Sequence, residues 1–285
     1  QHIKGFKALG AHVEEKENTV HITTGPEGLH GARIFFDLVS VGATINVLLA
    51  AVKAKGLTIM ENVAREPEIV DLATFLNNMG AHIRGAGTNE IRIQGVDSLK
   101  SMNVHTIIPD RIEAGTYLSF AAANGNGVLV KNVITEHLDP FLSKLEEMGV
   151  RMEIDEDEIY VPGGDVLSPV NIKTSPFPGF ATDLQQPITP LLMQARGSST
   201  IIDTLYPERT KHIPEMQRMG AKISSKDGII TVGHSTDLSG TVVEAGEIRA
   251  GVSLVGLALM AKGTTVINKA DNILRGYDRI VEKFR

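Results

Sequence analysis

Four times along the chain a large apolar residue is followed by Gly and then by Ala or Val: Leu9-Gly10-Ala11, Met79-Gly80-Ala81, Met148-Gly149-Val150 and Met219-Gly220-Ala221. These sites are 70, 69 and 71 residues apart. A period kept this closely marks a tandem structural unit, and it limits the chain to folds built from one repeated supersecondary motif. Each Gly closes a helix-like stretch, where the C′ residue must turn left-handed and only Gly does so at little cost. Each is followed by alternating apolar residues, as in Ile91-Arg92-Ile93 and Ile159-Tyr160-Val161, which predict strands. A second landmark lies upstream: Gly56, Gly127 and Gly197 open short β-branched runs 24, 22 and 23 residues before the helix-ending glycines. Gly263-Thr264-Thr265-Val266-Ile267 is a fourth such run.

A third element precedes each Gly-led strand. The segments Ser40–Ala51, Asp110–Ala123, Thr182–Ala195 and Glu247–Ala261 are rich in small and apolar residues and predict buried helices. Each unit therefore reads as strand–helix–strand–helix followed by a hairpin, and the fold class is α/β or α+β built from tandem units that share cores. Met102–Pro109 begins a new unit after a complete one and is the expected domain boundary, dividing the chain into 1–109 and 110–285. The chain opens without Met and ends within a helical pattern, Ile280–Arg285, so both ends read as cut.

Composition narrows the functional classes. The 285 residues include 28 Lys and Arg against 34 Asp and Glu, for a net charge of −6. Without a basic stripe, nucleic acid and anionic membrane are not expected partners. The absence of cysteine excludes disulfides, thiolate metal sites and a thiol nucleophile within this chain. No apolar run approaches 18 residues, so no transmembrane helix is expected; the expected location is cytoplasmic.

The starts of the buried helices concentrate the chemistry. Helix N-termini carry unpaired N–H groups and partial positive charge, and several aimed at one opening would hold an anion without a metal. Ser40, Asp110, Thr182, Asp183 and Glu247 stand in these turns, where ordinary N-capping explains such residue types equally well. Arg111 and Arg249 do not fit as caps, since a cation beside a helix N-terminus is unfavourable; they point to a bound anion or a carboxylate partner. Other features read as structural. Glu66-Pro67-Glu68 is helix-start chemistry, Asp155–Glu158 is a solvated hairpin tip, and Gly85-Ala86-Gly87 is a turn. His12 and His82 occupy equivalent strand positions, and no residue pattern has metal-ligand spacing.

The stretches Ala64–Asp71, Ile108–Thr116 and Phe180–Gln186, with Arg218–Ala221 and Arg275-Gly276-Tyr277, resemble the enolpyruvyl transferases. The resemblance runs the length of the chain, and within that group the stretches closely resemble the UDP-N-acetylglucosamine 1-carboxyvinyltransferases that open peptidoglycan precursor synthesis. It implies EPSP synthase-like lobes, each an inside-out α/β barrel of repeated βαβαββ units, with helix N-termini facing the cleft. It also implies a metal-free and cofactor-free addition–elimination between phosphoenolpyruvate and the sugar 3-hydroxyl, releasing phosphate. On that basis Asp183 matches the carboxylate base, Arg209 and Arg249 the clamp on the phosphoenolpyruvate carboxylate, and Arg275 a cation at its phosphate. Ser40, Val41 and Gly42 match the turn that receives the nucleotide diphosphate, and Leu205 matches a backbone contact to the sugar. Glu66, Asp110 and Arg111 match cleft-lining positions.

Two departures stand out. Glu247 occupies a position that is usually Asp in the family, and one extra methylene shifts a carboxylate by about an ångström. The family's catalytic Cys loop falls immediately before Gln1, so these 285 residues alone are expected to be inactive and to expose apolar surface where neighbouring repeats would pack. The competing expectations are an inert UDP-sugar-binding fragment, the sister enzyme acting on shikimate 3-phosphate, and a repeat scaffold. The deciding expectation is that Asp183, Arg209, Arg249 and Arg275 meet in one pocket. The oligomeric state is not read from the sequence.

Overall fold

The computed structural model describes residues 1–101 and 104–284. Met102 and Asn103 of the expected boundary segment, and Arg285 of the expected terminal helix, lie outside the described residues. The chain divides into two compact units, Gln1–Ile108 and Pro109–Arg285.

The first unit begins with helix α1 (His2–Ala8) and an antiparallel hairpin, β1 (His12–Lys16) and β2 (Thr19–Thr23). It continues through β3 (Arg33–Phe35), α2 (Val41–Ala51), β4 (Leu57–Glu61), α3 (Pro67–Asn78), β5 (His82–Arg84) and β6 (Glu90–Gln94). The four later strands form one sheet in the order β3-β4-β6-β5, with β3 and β4 parallel and the other pairs antiparallel. The alternation seen in the sequence sets its faces. Ile91 and Ile93 are fully buried against α2 and the core, while Arg92 points to solvent.

The second unit holds α4 (Arg111–Asn124), β7 (Val128–Lys131), α5 (Asp139–Met148), β8 (Glu153–Ile154) and β9 (Glu158–Val161). Next come β10 (Asn171–Lys173), a 3-10 turn at Thr182–Leu184, α6 (Gln185–Leu192), β11 (Ser198–Ile202) and α7 (His212–Arg218). The chain continues with β12 (Ile223–Lys226), β13 (Ile229–Gly233), β14 (Val242–Glu244), α8 (Ile248–Met260) and β15 (Val266–Asn268), and ends in the short helices α9 (Asp271–Leu274) and α10 (Ile280–Lys283). The sheet β10-β11-β13-β12 repeats the strand order and directions of β3-β4-β6-β5, so the inferred βαβαββ unit occurs whole once in each compact unit. Three-stranded β7-β9-β8 and two-stranded parallel β14-β15 are partial copies.

The left-handed landmarks fall as the period requires. Gly10, Gly80, Gly149 and Gly220 have φ of +90°, +100°, +90° and +91°. The strand-leading glycines Gly56, Gly127, Gly197 and Gly263 also have positive φ, a feature the sequence reading did not assign to them. His12 and His82 open β1 and β5, and Gly85 and Gly87 shape the β5–β6 turn. Asp155–Glu158 forms the exposed β8–β9 tip, and no cluster of potential metal ligands occurs among the described residues.

Three of the four expected buried helices match within a residue: α2, α4 and α8. The fourth does not run through Thr182–Ala195. It opens as a 3-10 turn and ends at Leu192. Pro187 and Pro190 lack the N–H that a continuous helix needs, and Pro190 removes a bond inside it. The last turn tightens into i to i+3 bonds, Met193 N–H to Pro190 and Gln194 N–H to Leu191. Asp183 therefore sits in the turn ahead of α6 rather than in a helix.

In the second unit α4, α6 and α8 pack on one another, and the sheets lie outside them, an inside-out arrangement. Leu118, Ile188 and Leu254 are fully buried there, each contributing about 2 kcal/mol. Small residues allow this approach: a Cβ on Gly256 would lie 2.3 Å from the Phe120 ring, and one on Gly115 would lie 2.7 Å from Leu184. Several large apolar side chains stay exposed, among them Phe35 and Leu38 in the first unit and Val242 and Val266 on the two-stranded sheet.

The tightest approach is in the first unit, where a Cβ on Gly95 would lie 1.5 Å from the Ala54 carbonyl oxygen. Backbone cannot step aside as a side chain can. Gly95→Ala is expected to destabilise the protein by at least about 3 kcal/mol, seen as a lowered thermal midpoint; an unchanged midpoint would contradict this packing.

Candidate active site

The helix starts differ in how their first amides are satisfied. Asp110 caps α4, accepting from the N–H of Ile112 at 2.8 Å and of Glu113 at 3.2 Å. Ser40 caps α2 through Ala43 N–H at 3.3 Å, and among the described residues neither Val41 nor Gly42 donates its N–H to a protein group. Glu66 precedes α3, whose first residue is Pro67, and is 7% exposed. Glu247 stands at the start of α8 without capping it. Local capping thus accounts for Asp110 and Ser40, and something else occupies the polar groups at Thr182 and Asp183.

That something is an ion-pair cluster in the second unit. Asp183 Oδ1 accepts from Arg209 Nη1 at 2.7 Å. Its Oδ2 accepts from Arg249 Nη2 at 3.2 Å and Nε at 3.3 Å. The carboxylate partner implied by an Arg at the start of α8 is therefore Asp183, from the start of the preceding buried helix. Burial acts to raise the Asp183 carboxyl, but the charges and hydrogen bonds of Arg249 and Arg209 outweigh it and hold it below the ordinary carboxylate range. Its side chain keeps 36% of its surface accessible, so ligand can reach it.

The cluster is tied into the surrounding elements. Arg249 Nη1 donates to the Tyr277 hydroxyl at 2.9 Å, which lies 3.0 Å from Thr116 Oγ1 on α4. Burial raises the Tyr277 phenol despite the Arg249 charge beside it, so it is neutral at physiological pH. Arg209 also contacts Thr182 Oγ1 at 3.1 Å and lies over the Tyr206 ring at 4.9 Å. Buried Asp203 accepts from Thr182 Oγ1 (2.6 Å), Thr174 Oγ1 (2.8 Å), Leu205 N–H (3.0 Å) and Tyr206 N–H (2.9 Å). One carboxylate thereby fixes both the Asp183 turn and the loop that carries Arg209.

Of the residues singled out from the sequence, the structure brings Asp183, Arg209 and Arg249 together. Arg275 does not join them: it is exposed beyond α9 and makes no side-chain hydrogen bond or ion pair among the described residues. Its near neighbour Tyr277 takes that place, because the chain buries the aromatic ring and turns Arg275 outward. Leu205 already spends its N–H on Asp203, leaving only its carbonyl for a ligand. Arg111 opens α4 with its guanidinium 5.5 Å from the Phe177 ring centroid. Ser40, Val41, Gly42 and Glu66 belong to the other compact unit.

Sequence reasoning passed over Asp203 and Tyr277. The repeat held a signal for Asp203. Just past the second strand of the other copies stand Asn62, Asn132 and Lys269, all left-handed at φ +57°. The remaining copy, led by Gly197, places Asp there without that conformation, the mark of a residue kept for its side chain.

Beside the cluster, Gln186 Nε2 lies 3.1 Å from Glu247 Oε1 and 3.1 Å from His212 Nδ1. His212 is completely buried, and burial lowers its pKa to about 4. An unfolded chain takes up that proton near pH 6.5 whereas the folded one does so near 4, so this group costs no stability above about 6.5 and progressively more as pH falls. Between those values it should remove up to about 3 kcal/mol. His212→Phe is expected to flatten that part of the stability–pH curve in thermal melts; an unchanged acid slope would refute a neutral buried imidazole.

Taken together, the cluster pairs two guanidinium groups with one accessible carboxylate. Such a site can exchange its internal carboxylate for an external anion and release a base as it does so.

A family model for EPSP synthase (3-phosphoshikimate 1-carboxyvinyltransferase) matches residues 1–284. The UDP-N-acetylglucosamine 1-carboxyvinyltransferase 2 of Lactiplantibacillus plantarum is 64% identical over 283 residues, covering 99% of this chain and 66% of that protein. The protein of the same name from Latilactobacillus sakei is 61% identical over 99% of this chain and 67% of its own length. The UDP-N-acetylglucosamine 1-carboxyvinyltransferase of Streptococcus pneumoniae is 55% identical over 100% and 68%. The chain thus spans about two thirds of the length of the curated relatives it matches. Among solved structures, the enolpyruvyl transferase NikO from Streptomyces tendae superposes with a TM-score of 0.89 at 24% identity, over 99% of this chain and 69% of that one. EPSP synthase from Acinetobacter baumannii gives 0.69 at 19% identity, over 99% and 68%. At these identities the structural likeness speaks for the fold.

Proposed function

Because the chain belongs to the EPSP synthase family, and within it to the UDP-N-acetylglucosamine 1-carboxyvinyltransferases, we propose that the protein carrying it transfers the enolpyruvyl group of phosphoenolpyruvate to the 3-hydroxyl of UDP-N-acetylglucosamine and releases phosphate. This is a cytoplasmic step of peptidoglycan precursor synthesis, and through the cell wall it bears on cell shape and division. No helix among the described residues is long and apolar enough to cross a membrane.

The observation that carries this proposal is the Asp183–Arg209–Arg249 cluster. The carboxylate of phosphoenolpyruvate replaces Asp183 as the partner of the guanidinium groups, whose planar forks suit a planar carboxylate. Asp183, freed of some of that positive charge, becomes a stronger base. It accepts the proton of the sugar 3-hydroxyl as that oxygen bonds to C2 of phosphoenolpyruvate, while C3 takes up a proton. The tetrahedral adduct then loses a proton from C3 and expels phosphate, restoring the double bond in the product. This chain has no cysteine, so a thiol acid for the C3 proton would come from elsewhere in the complete protein. Arg275, exposed as it is, serves the phosphate once substrate is bound. Ser40, Val41 and Gly42 receive the diphosphate, the Leu205 carbonyl faces the sugar, and Glu66 and Arg111 are further substrate-binding residues. Residues 1–109 complete one lobe and 110–285 form most of the other.

The test is phosphate release by the complete protein. Turnover is expected with phosphoenolpyruvate and UDP-N-acetylglucosamine, and none with shikimate 3-phosphate as acceptor. The reverse selectivity would assign the protein to the sister activity. A well-folded complete protein that is silent with both acceptors would leave the inert-binder alternative standing.

A further inference from the structure

The reaction outlined above uses Asp183 and Arg249 but leaves Gln186, His212 and Glu247 idle. Their geometry is well defined. The Gln186 amide nitrogen lies within hydrogen-bond reach of both Glu247 Oε1 and His212 Nδ1. The opposite amide orientation would set an oxygen against the Glu247 carboxylate, so the carboxylate fixes which end of the amide faces it. His212 Nδ1 must then be an acceptor, with the ring proton on Nε2, which has no partner of its own. The buried ring stays neutral across the physiological range, so this acceptor does not switch off.

The two ends of this link are informative. Gln186 follows Asp183 by three residues, and Glu247 precedes Arg249 by two. The same two turns are joined a second time by the Asp183–Arg249 ion pair. That ion pair must loosen when Arg249 takes up a substrate carboxylate, whereas Gln186–Glu247 involves no substrate-binding group and can persist. Without it, the start of α8 would be least constrained at the moment Arg249 changes partner. We infer that Gln186, oriented by His212, is a positioning residue. It tethers the start of α8 through Glu247, so that Arg249 keeps its place while it exchanges Asp183 for phosphoenolpyruvate. The inference rests on the transferase proposal. It also gives Glu247 a reason for its length, since an Asp there would stop about an ångström short of the amide.

The experiment compares Gln186→Ala, Glu247→Asp and the double variant in the complete protein, by phosphate release at varied phosphoenolpyruvate. Each single change is expected to raise KM for phosphoenolpyruvate about tenfold with a smaller effect on kcat. The double variant should be no worse than the poorer single one, because both cut the same link. Unchanged KM in the single variants, or effects that multiply in the double, would overturn the tether. Glu247→Asp keeps its charge and leaves the His212–Gln186 pair intact, so it decides the matter if Gln186→Ala does not fold. A second measurement does not need turnover: the ring-nitrogen resonances of His212 should move in Gln186→Ala, and unchanged resonances overturn the tether. A wild-type protein silent with both substrates would sink the transferase proposal, and the His212 ring would still judge the tether.

Discussion

Arg249→Lys in the complete protein is expected to lower kcat/KM for phosphoenolpyruvate by a factor on the order of 10³ while leaving the fold intact. The reason is geometric. The Arg249 guanidinium uses Nε and Nη2 on one oxygen of Asp183 and Nη1 on the Tyr277 hydroxyl. An ammonium keeps the charge but cannot span both partners, so the clamp loses its fork and the tyrosine loses its donor. The loss should fall mainly on transition-state binding, because the substrate carboxylate must be held while C2 changes geometry. Phosphate-release kinetics at varied phosphoenolpyruvate, with a thermal melt to confirm folding, make the check. A loss of less than about tenfold would mean that Arg249 holds Asp183 for structural reasons alone.

Asp183→Asn should act differently on the two kinetic constants. kcat is expected to fall about 10³-fold, because an amide cannot take the hydroxyl proton. KM for phosphoenolpyruvate should stay level or fall, since Arg209 and Arg249 lose the internal anion that competes for them. A rise in KM with kcat unchanged would instead make Asp183 a binding residue. The pH dependence of stability supplies a second check. The folded-state pKa of Asp183 is depressed, so its contribution is present above the ordinary carboxylate range and is lost as pH falls through the folded value. The Asn variant should therefore be less stable than wild type at neutral pH, and the two should converge in strong acid.

On the proposed reaction Asp183 and substrate compete for the same guanidinium groups, which makes both predictions one physical statement. In the free site the carboxylate is well solvated by charge and a poor base. Arrival of an anion moves positive charge away from it and raises its basicity when the acceptor hydroxyl is in place. On that reading, anion binding and base strength are coupled through three side chains.

Legibility from sequence followed the range of the interactions concerned. The period, the helix-ending glycines and the hairpins depend on a few neighbouring residues, and all four left-handed glycines appeared where the spacing put them. The shortened α6 was legible in principle, because Pro187 and Pro190 act locally. Small-residue runs marked α4 and α8 as buried without naming their neighbours. Of the two arginines that made poor caps, Arg249 identified the site's charge, but not which carboxylate would neutralise it, and Arg111 lies against Phe177. Arg275 and Tyr277 show the limit: two residues apart on one short segment, one turns outward and the other reaches Arg249, and no local preference distinguishes them.

The linear order of residues was enough to establish helix and strand landmarks recurring about every seventy positions, their turn glycines and the family, because backbone conformation and apolar periodicity are short-range properties. The folded arrangement alone decided that Asp183 lies between Arg209 and Arg249, that Asp203 holds the Thr182 turn in place, and that Gln186 bridges His212 and Glu247. Those contacts join residues 21 to 66 positions apart. Their distances are set by how three buried helices pack, and charge attraction at a few ångströms depends on that packing rather than on proximity along the chain.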